Sequence, residues 1–392
     1  MLVRYSAAVK GQVHKKAVVY TAKEHSIPRS DIDPDAARIV KRLRSMGHEA
    51  YIVGGAVRDL LAGKKPKDFD VVTDAAPRQI KRIFRNSRII GKRFRLVHIF
   101  FPDKIIEVST FRALAEGETN VFGSIEEDVQ RRDFTLNALY YCPIEGIIID
   151  YIGGVKDIRK KKVAPLIPLR RIFTEDPVRM IRAVKYSAGL GFGLPFLTRR
   201  KIKAQASLLE GISGSRLTEE LFKILQSGKS AVIFRELYNL NLLKYFLPAL
   251  DGCIRETAEN FRDSFFATLQ AHDDSIRSGM ERTFLLAPLI QDYVKALLKK
   301  AGSPKPLFKD VYSAVKKMMQ PLVPANRDID MALIPFFRRK KQPRTQRRRP
   351  ASGTSGQPNA RAGQSGASGP MQHQPSPKSQ SASPPSPQRT IV

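Results

Sequence analysis

Ala36, Ile39, Val40 and Leu43 fall at the i, i+3, i+4, i+7 spacing of one helical face. Asp33 and Pro34 supply the cap and first turn of that helix, and Gly47 supplies its stop. The pattern then shortens. Apolar, β-branched runs predict strands over residues 50–53, 68–73, 96–101 and 105–110, with a helix over 77–84 and a turn at Pro102-Asp103-Lys104. From about residue 165 the pattern is helical throughout. Leu217, Leu221, Ile224 and Leu225 make one stripe; Ile233, Phe234, Leu237 and Leu240 make another.

This patterning predicts an α/β head of mixed β-sheet and helices at residues 31–165, preceded by an extension at 1–30. An all-α neck (166–228) and body (229–337) follow. The neck includes a helix over 213–226, with Glu219 and Glu220 expected on its solvated side. Past residue 337 there are 11 Lys/Arg, no acidic residue and a Ser/Gly/Pro/Gln-rich composition. Such a segment buries too little to offset its ordering entropy, so residues 338–392 are expected to be a disordered basic tail. No fixed-period repeat is present.

Charge then narrows the function. The 392 residues carry 68 Lys/Arg against 37 Asp/Glu, a net +31, of which +11 belongs to the tail. Charge on this scale implies a polyanionic partner, nucleic acid or an anionic membrane surface. The two cysteines, Cys142 and Cys253, make neither a disulfide framework nor a four-ligand zinc site, which points to a reducing cytoplasm. No apolar run approaches the roughly 18–20 residues of a spanning helix, and early charges interrupt any signal-peptide pattern. The six histidines show no metal-ligand spacing, and Cys142 reads as a packed residue.

The candidate chemistry lies between residues 50 and 110. Gly54-Gly55 separates an expected strand from a helix carrying Val57, Leu60 and Leu61. Glycines there permit close backbone approach, and free N–H groups at a helix start attract anions. Arg58 adds a positive charge one turn on. Asp68 and Asp70, at i and i+2 of an expected strand, project from one face. Two such carboxylates repel unless a cation neutralises them, and Mg²⁺ is commonly held by one or two carboxylates plus substrate phosphates. Glu107, whose neighbours Ile106 and Val108 face the other way, would add a third carboxylate if its strand lies beside that of Asp70. Further on, Asp176 offers acceptors and Arg179 donors three positions apart on one helical face; by themselves they read as an Asp–Arg pair near a helix N-terminus, with Pro177 in the first turn, or as a match to the edge of a base.

Gly54-Gly55-Ala-Val-Arg58-Asp59 followed by Asp68-Phe-Asp70 resembles the head of the nucleotidyltransferase superfamily. Arg131-Arg-Asp-Phe-Thr-Leu-Asn137-Ala and Glu175-Asp-Pro-Val-Arg179-Met-Ile-Arg182-Ala resemble its class II branch, which contains the CCA-adding enzymes and bacterial poly(A) polymerases. The similarity runs from about Ala36 to Gln226. Within the branch, the basic-aromatic segment at 90–98 and the basic tail resemble the poly(A) polymerases, although the linker from Arg112 to Phe122 is shorter than theirs.

The resemblance implies that Asp68 and Asp70 bind catalytic Mg²⁺ (with Mn²⁺ as a substitute) and that Glu107 is an additional acidic group. It implies that Gly54, Gly55 and Arg58 hold the triphosphate of ATP. Arg132, Asp133 and Asn137 would serve the nucleotide's sugar, with Asp133 acting in catalysis. Glu175, Asp176 and Arg179 would read the base, and Arg182 would contact phosphate. The expected activity is template-independent addition of AMP to RNA 3′ ends. The alternatives are CCA addition to tRNA and a non-catalytic RNA-binding protein of the same fold.

Overall fold

A computed structural model describes residues 2–5, 15–91, 95–114, 121–256, 259–279, 284–300 and 306–337. The expected tail, residues 92–94 of the basic-aromatic segment and residues 115–120 of the short linker lie outside these. The strands are β1 (Leu2–Tyr5), β2 (Lys15–Tyr20), β3 (Ala50–Val53), β4 (Asp70–Thr73), β5 (Ser87–Ile90), β6 (Leu96–Phe100), β7 (Ile105–Thr110), β8 (Leu139–Cys142) and β9 (Ile147–Asp150). They form one mixed sheet in the order β1-β2-β9-β8-β3-β4-β7-β6-β5. Every neighbouring pair is antiparallel except β4 and β7.

All four residues of β3 are buried because both faces of the sheet are covered. Ile52, Val71, Val108 and Tyr141 face a core that runs on through the helical part as far as Leu333. Tyr51, Val53, Val72 and Tyr140 face a second, smaller cluster under the Ile125–Gln130 helix. On the first face lies the Pro34–Ser45 helix, where the Asp33 carboxylate accepts hydrogen bonds from the Asp35 and Ala36 amides at 2.9 and 3.1 Å. Its apolar stripe, Ala36, Ile39, Val40 and Leu43, is buried, and the chain leaves through Gly47 at φ +85°.

The expected strands at 50–53 and 105–110 form as spaced, but the one expected over 68–73 begins only at Asp70. Its last rung pairs Val53 with Asp70, and β3 turns away at Gly54, so Asp68 has no strand to pair with. The expected N-terminal extension is partly sheet, since β2 pairs with β9 through Val18, Val19 and Tyr20. A period-two pattern does not reveal β8 or β9, whose residues are nearly all apolar because both faces are covered.

Beyond β9 the described chain is helical. The principal helices are Val178–Leu190, Phe196–Gln205, Gly214–Leu225, Ser230–Asn239, Pro248–Glu256, Glu259–Arg277, Ala287–Lys300, Phe308–Met318 and Asn326–Phe337. Leu217, Leu221, Ile224 and Leu225 are fully buried, as are Ile233, Phe234 and Leu237. Glu220 reverses its expectation. It is 2 % exposed and paired with Arg182 and Lys185 of the Val178–Leu190 helix. The reason is geometric: position 220 lies three after Leu217 and four before Ile224, inside the apolar stripe. No helix among the described residues is long and apolar enough to cross a membrane.

Candidate active site

A cleft of about 1,250 Å³ lies between the sheet and the first helices of the all-α part. Its sheet-side wall begins with Gly54, which turns β3 into the Gly55–Leu61 helix at φ +70°, ψ −129°. Only glycine takes that backbone without strain, and a Cβ there would sit 3.9 Å from Asp70 Oδ2. The turn thus brings bare backbone beside the carboxylate. Asp70 opens β4 facing the cleft, with Asp68 two residues upstream on the same rim. Surrounding protein, then the Glu107 and Asp68 carboxylates, push the Asp70 carboxyl up to about 6, against the pull of Arg132 and Lys223.

Glu107 stands on β7, adjacent to β4, but does not line the cleft. It lies opposite His98 on β6, its carboxylate 3.4 Å from His98 Nε2. Among the described residues no group of three or more His, Cys, Asp or Glu is gathered to hold a metal ion. Glu107 thus acts on Asp70 through its charge from the neighbouring strand.

The turn at Thr135–Asn137 forms the cleft's floor. It is fixed by the Gly154–Arg159 helix, which approaches so closely that a Cβ on Gly154 would lie 2.3 Å from the Thr135 carbonyl oxygen. Asp150 anchors that helix by accepting from the amides of Ile152, Gly153, Gly154 and Val155 at 2.7–3.1 Å. On this floor Arg58 Nη1 donates to Asn137 Oδ1 at 2.9 Å, and Asn137 Nδ2 donates to Asp133 Oδ1 at 2.9 Å. Asp133 Oδ2 in turn lies 3.7 Å from Arg182 Nη1. The Arg58 guanidinium also lies 4.8 Å from the ring centre of Tyr186, whose phenol burial pushes up to about 12. Arg132 is occupied by protein: Nε and Nη2 donate to Asp128 at 3.1 and 2.8 Å, and Nη1 donates to the Asn137 carbonyl at 3.0 Å.

The opposite wall carries the expected base-reading residues. Asp176 and Arg179 do not share a helical face, because Asp176 precedes the Val178–Leu190 helix in an extended conformation. Pro177 follows it and biases it away from the helical region. Both residues still line the cleft. Asp176 accepts from the Val178 amide at 3.2 Å and from Arg216 Nη2 at 2.8 Å. Arg179 donates to Glu175 at 3.1 Å and to the Ile172 carbonyl at 3.2 Å.

Lys64, Lys185, Tyr186 and Arg216 line the cleft with no expectation attached, and Glu220, expected on the solvated side, joins them. Arg182 Nε donates to Glu220 at 3.0 Å, and Lys185 bonds the other carboxylate oxygen. Burial alone would raise the Glu220 carboxyl, but Lys185, Arg182 and Lys223 hold it at about 2. The stripe spacing of Glu220 was its one sequence signal.

The family model for the poly A polymerase head domain matches residues 50–164, which include the strands and turn of the sheet-side wall. A second, described as a probable RNA and SrmB-binding site of polymerase A, matches residues 191–253. Poly(A) polymerase I of Salmonella typhi is 39% identical over 293 residues, 70% of this chain and 63% of that protein. The chain belongs to the poly(A) polymerase and tRNA nucleotidyltransferase family. It spans a little under two thirds of the poly(A) polymerases it matches. The CCA-adding enzyme of Bacillus subtilis, from the family's other activity, is 36% identical over 214 residues, 53% of this chain and 54% of that one. Among solved structures, the Bacillus stearothermophilus CCA-adding enzyme in complex with CTP shares 27% identity at a TM-score of 0.54, covering 78% of this chain and 79% of that one.

Proposed function

We propose that the protein is a template-independent polynucleotide adenylyltransferase. It transfers AMP from ATP to the 3′ hydroxyl of RNA and releases pyrophosphate, serving RNA polyadenylation in the cytoplasm. The observation that carries this reading is one cleft in which the Asp68–Asp70 rim, the Gly54–Arg58 turn and the Asp176–Arg179 wall face one another. Polyadenylation is preferred to CCA addition because the likeness to poly(A) polymerase I extends over 293 residues, against 214 for the CCA-adding enzyme.

The rim fits a divalent cation, Mg²⁺ in this reading. It offers hard oxygen donors, with the Asp70 carboxyl raised by burial and then by the charges of Glu107 and Asp68, and substrate phosphates would complete the shell. When bound, the cation supplies charge neutralisation at phosphorus and lowers the pKa of the attacking hydroxyl. The protein does the rest by positioning. Arg58 and Arg182 bind the triphosphate, and their bonds to Asn137 and Glu220 hold both guanidiniums in place. Asp133 and Asn137 hold the sugar. Asp176 accepts from, and Arg179 donates to, the edge of the base, and Glu175 steadies Arg179.

Asp68→Ala and Asp70→Ala are each expected to abolish pyrophosphate release while leaving RNA binding intact; full turnover by either purified variant would refute the metal-site assignment. Primer extension with single nucleotides on oligo(A) and on a tRNA lacking its 3′ end separates the two activities. Long tracts from ATP alone support polyadenylation, whereas CTP use followed by one terminal A supports the rival.

A further inference from the structure

Asp68 stands outside the sheet, because β4 begins only at Asp70. A residue without ladder bonds keeps its place only if its loop is fixed by other means. The loop of residues 62–69 is pinned from two sides. On its own side Pro66 is buried and Phe69 packs against the main core. From across the cleft, Lys64 Nζ donates to the Gly189 carbonyl at 2.9 Å, and Lys67 Nζ donates to the Gln226 carbonyl. Gly189 lies in the last turn of the Val178–Leu190 helix, and Gln226 caps the Gly214–Leu225 helix. Both lysines therefore meet carbonyls that a helix leaves unpaired, at the negative ends of two helix dipoles. Lys64, Lys67, Gly189 and Gln226 all line the cleft. Lys223, three residues before Gln226, stands close enough for its charge to act on Asp70. The helix that carries Arg179 near its start thus receives Lys64 near its end, 13 residues or about 20 Å in all.

We propose that Lys64 and Lys67 are positioning residues: by tying the Asp68 loop to two helix ends of the opposite wall, they hold Asp68 beside Asp70 and make the cation rim depend on that wall. The tether rests on the reading of Asp68 and Asp70 as a cation site and supplies what keeps that site assembled. As charge alone, two ammonium groups beside the rim would oppose the binding of a divalent ion. Any support that they give the rim must therefore come through the loop. A role as triphosphate ligands fits less well, because each lysine already spends a donor on a helix-end carbonyl. One helix then serves both halves of the site. A shift of the Val178–Leu190 helix would disturb Arg179 at one end and the Asp68 loop at the other.

The test is Mn²⁺ binding by the full chain without ATP or RNA, followed by the spin-resonance signal of the free ion. Hydrogen exchange of the backbone over residues 62–70, without metal, is measured beside it. The double change Lys64→Met, Lys67→Met is expected to weaken Mn²⁺ about tenfold. It should also speed exchange in the loop, while exchange in buried β3 and metal-free ATP affinity stay unchanged. Lys64→Arg, Lys67→Arg should keep the wild-type Mn²⁺ affinity, because guanidinium groups carry the same charge and still donate. Mn²⁺ binding that is unchanged or stronger in the methionine variant overturns the tether, since loss of charge alone would strengthen it. So does a loss of metal-free ATP affinity with exchange unchanged, which would make the lysines triphosphate ligands. Asp70→Ala is the control for the rim. If it binds Mn²⁺ as the wild type does, the cation reading fails, and exchange of the loop then decides the tether by itself.

Discussion

Glu220 shows how one side chain ties the two walls of the cleft together. Its carboxylate pairs with Arg182 and Lys185, Arg182 reaches Asp133, and Asp133 continues through Asn137 to Arg58. Removing one member of a buried ion pair strands the others, which costs about 3–5 kcal/mol where burial is complete. Arg182 is 32% exposed, so the lower end applies. Glu220→Gln should therefore lose about 3 kcal/mol in urea unfolding and raise the KM for ATP, because Arg182 is freed from its position. The pH dependence has a definite sign. The Glu220 carboxyl is held at about 2 in the fold, below its unfolded value, so its stabilisation is complete above about pH 4.5 and is lost as pH falls toward 2. The stability gap between wild type and Glu220→Gln should close over that window. A gap that is the same at pH 3 and pH 7 would show that the carboxylate's charge is not what matters.

Among elements, the Ser230–Asn239 helix depends on a residue distant in sequence. Its start carries no side-chain cap of its own; instead the buried Asp273 accepts from Ser230 N, Ser230 Oγ and Ala231 N at 2.7–2.9 Å. His272 and Arg277 reach the Leu225 and Gly228 carbonyls, so the Glu259–Arg277 helix clamps the junction between the Gly214–Leu225 and Ser230–Asn239 helices. Asp273→Ala leaves these donors unpaired in the core and should cost about 2–4 kcal/mol, read as a lower urea midpoint. No sequence spacing announces a cap 43 residues away, and this is where legibility ends. Patterns that belong to one element were readable: the Pro34–Ser45 helix from its cap and stripe, and β7 from its alternation. What depended on a partner element was not. β4 starts at Asp70 because β3 turns away at Gly54, Asp176 is extended because Pro177 follows it, and Glu220 is buried because cations on another helix meet it.

At the scale of the molecule, the charge divides by distance from the chemistry. Arg58 and Arg182 face the cleft with their charges already committed to Asn137, Asp133 and Glu220, so they serve the nucleotide's position more than long-range attraction. Attraction for a polyanion falls to cations outside this network, among them the exposed lysines 160–162, Arg200 and Lys203, and the 11 Lys/Arg beyond residue 337. Counterion release makes each such phosphate contact visible as about 0.7 in the slope of log affinity against log salt for a single strand. A chain ending at Phe337 should therefore keep its rate of AMP transfer at saturating RNA, bind RNA more weakly at low salt, and show a shallower slope. Its affinity should approach that of the full chain as salt rises, because only the screened contribution has been removed. An unchanged slope after truncation would assign the terminal charge to solubility and leave the electrostatic contact with RNA to cations before residue 338. A fall in the saturated rate would mean that residues beyond 337 act within the cleft itself.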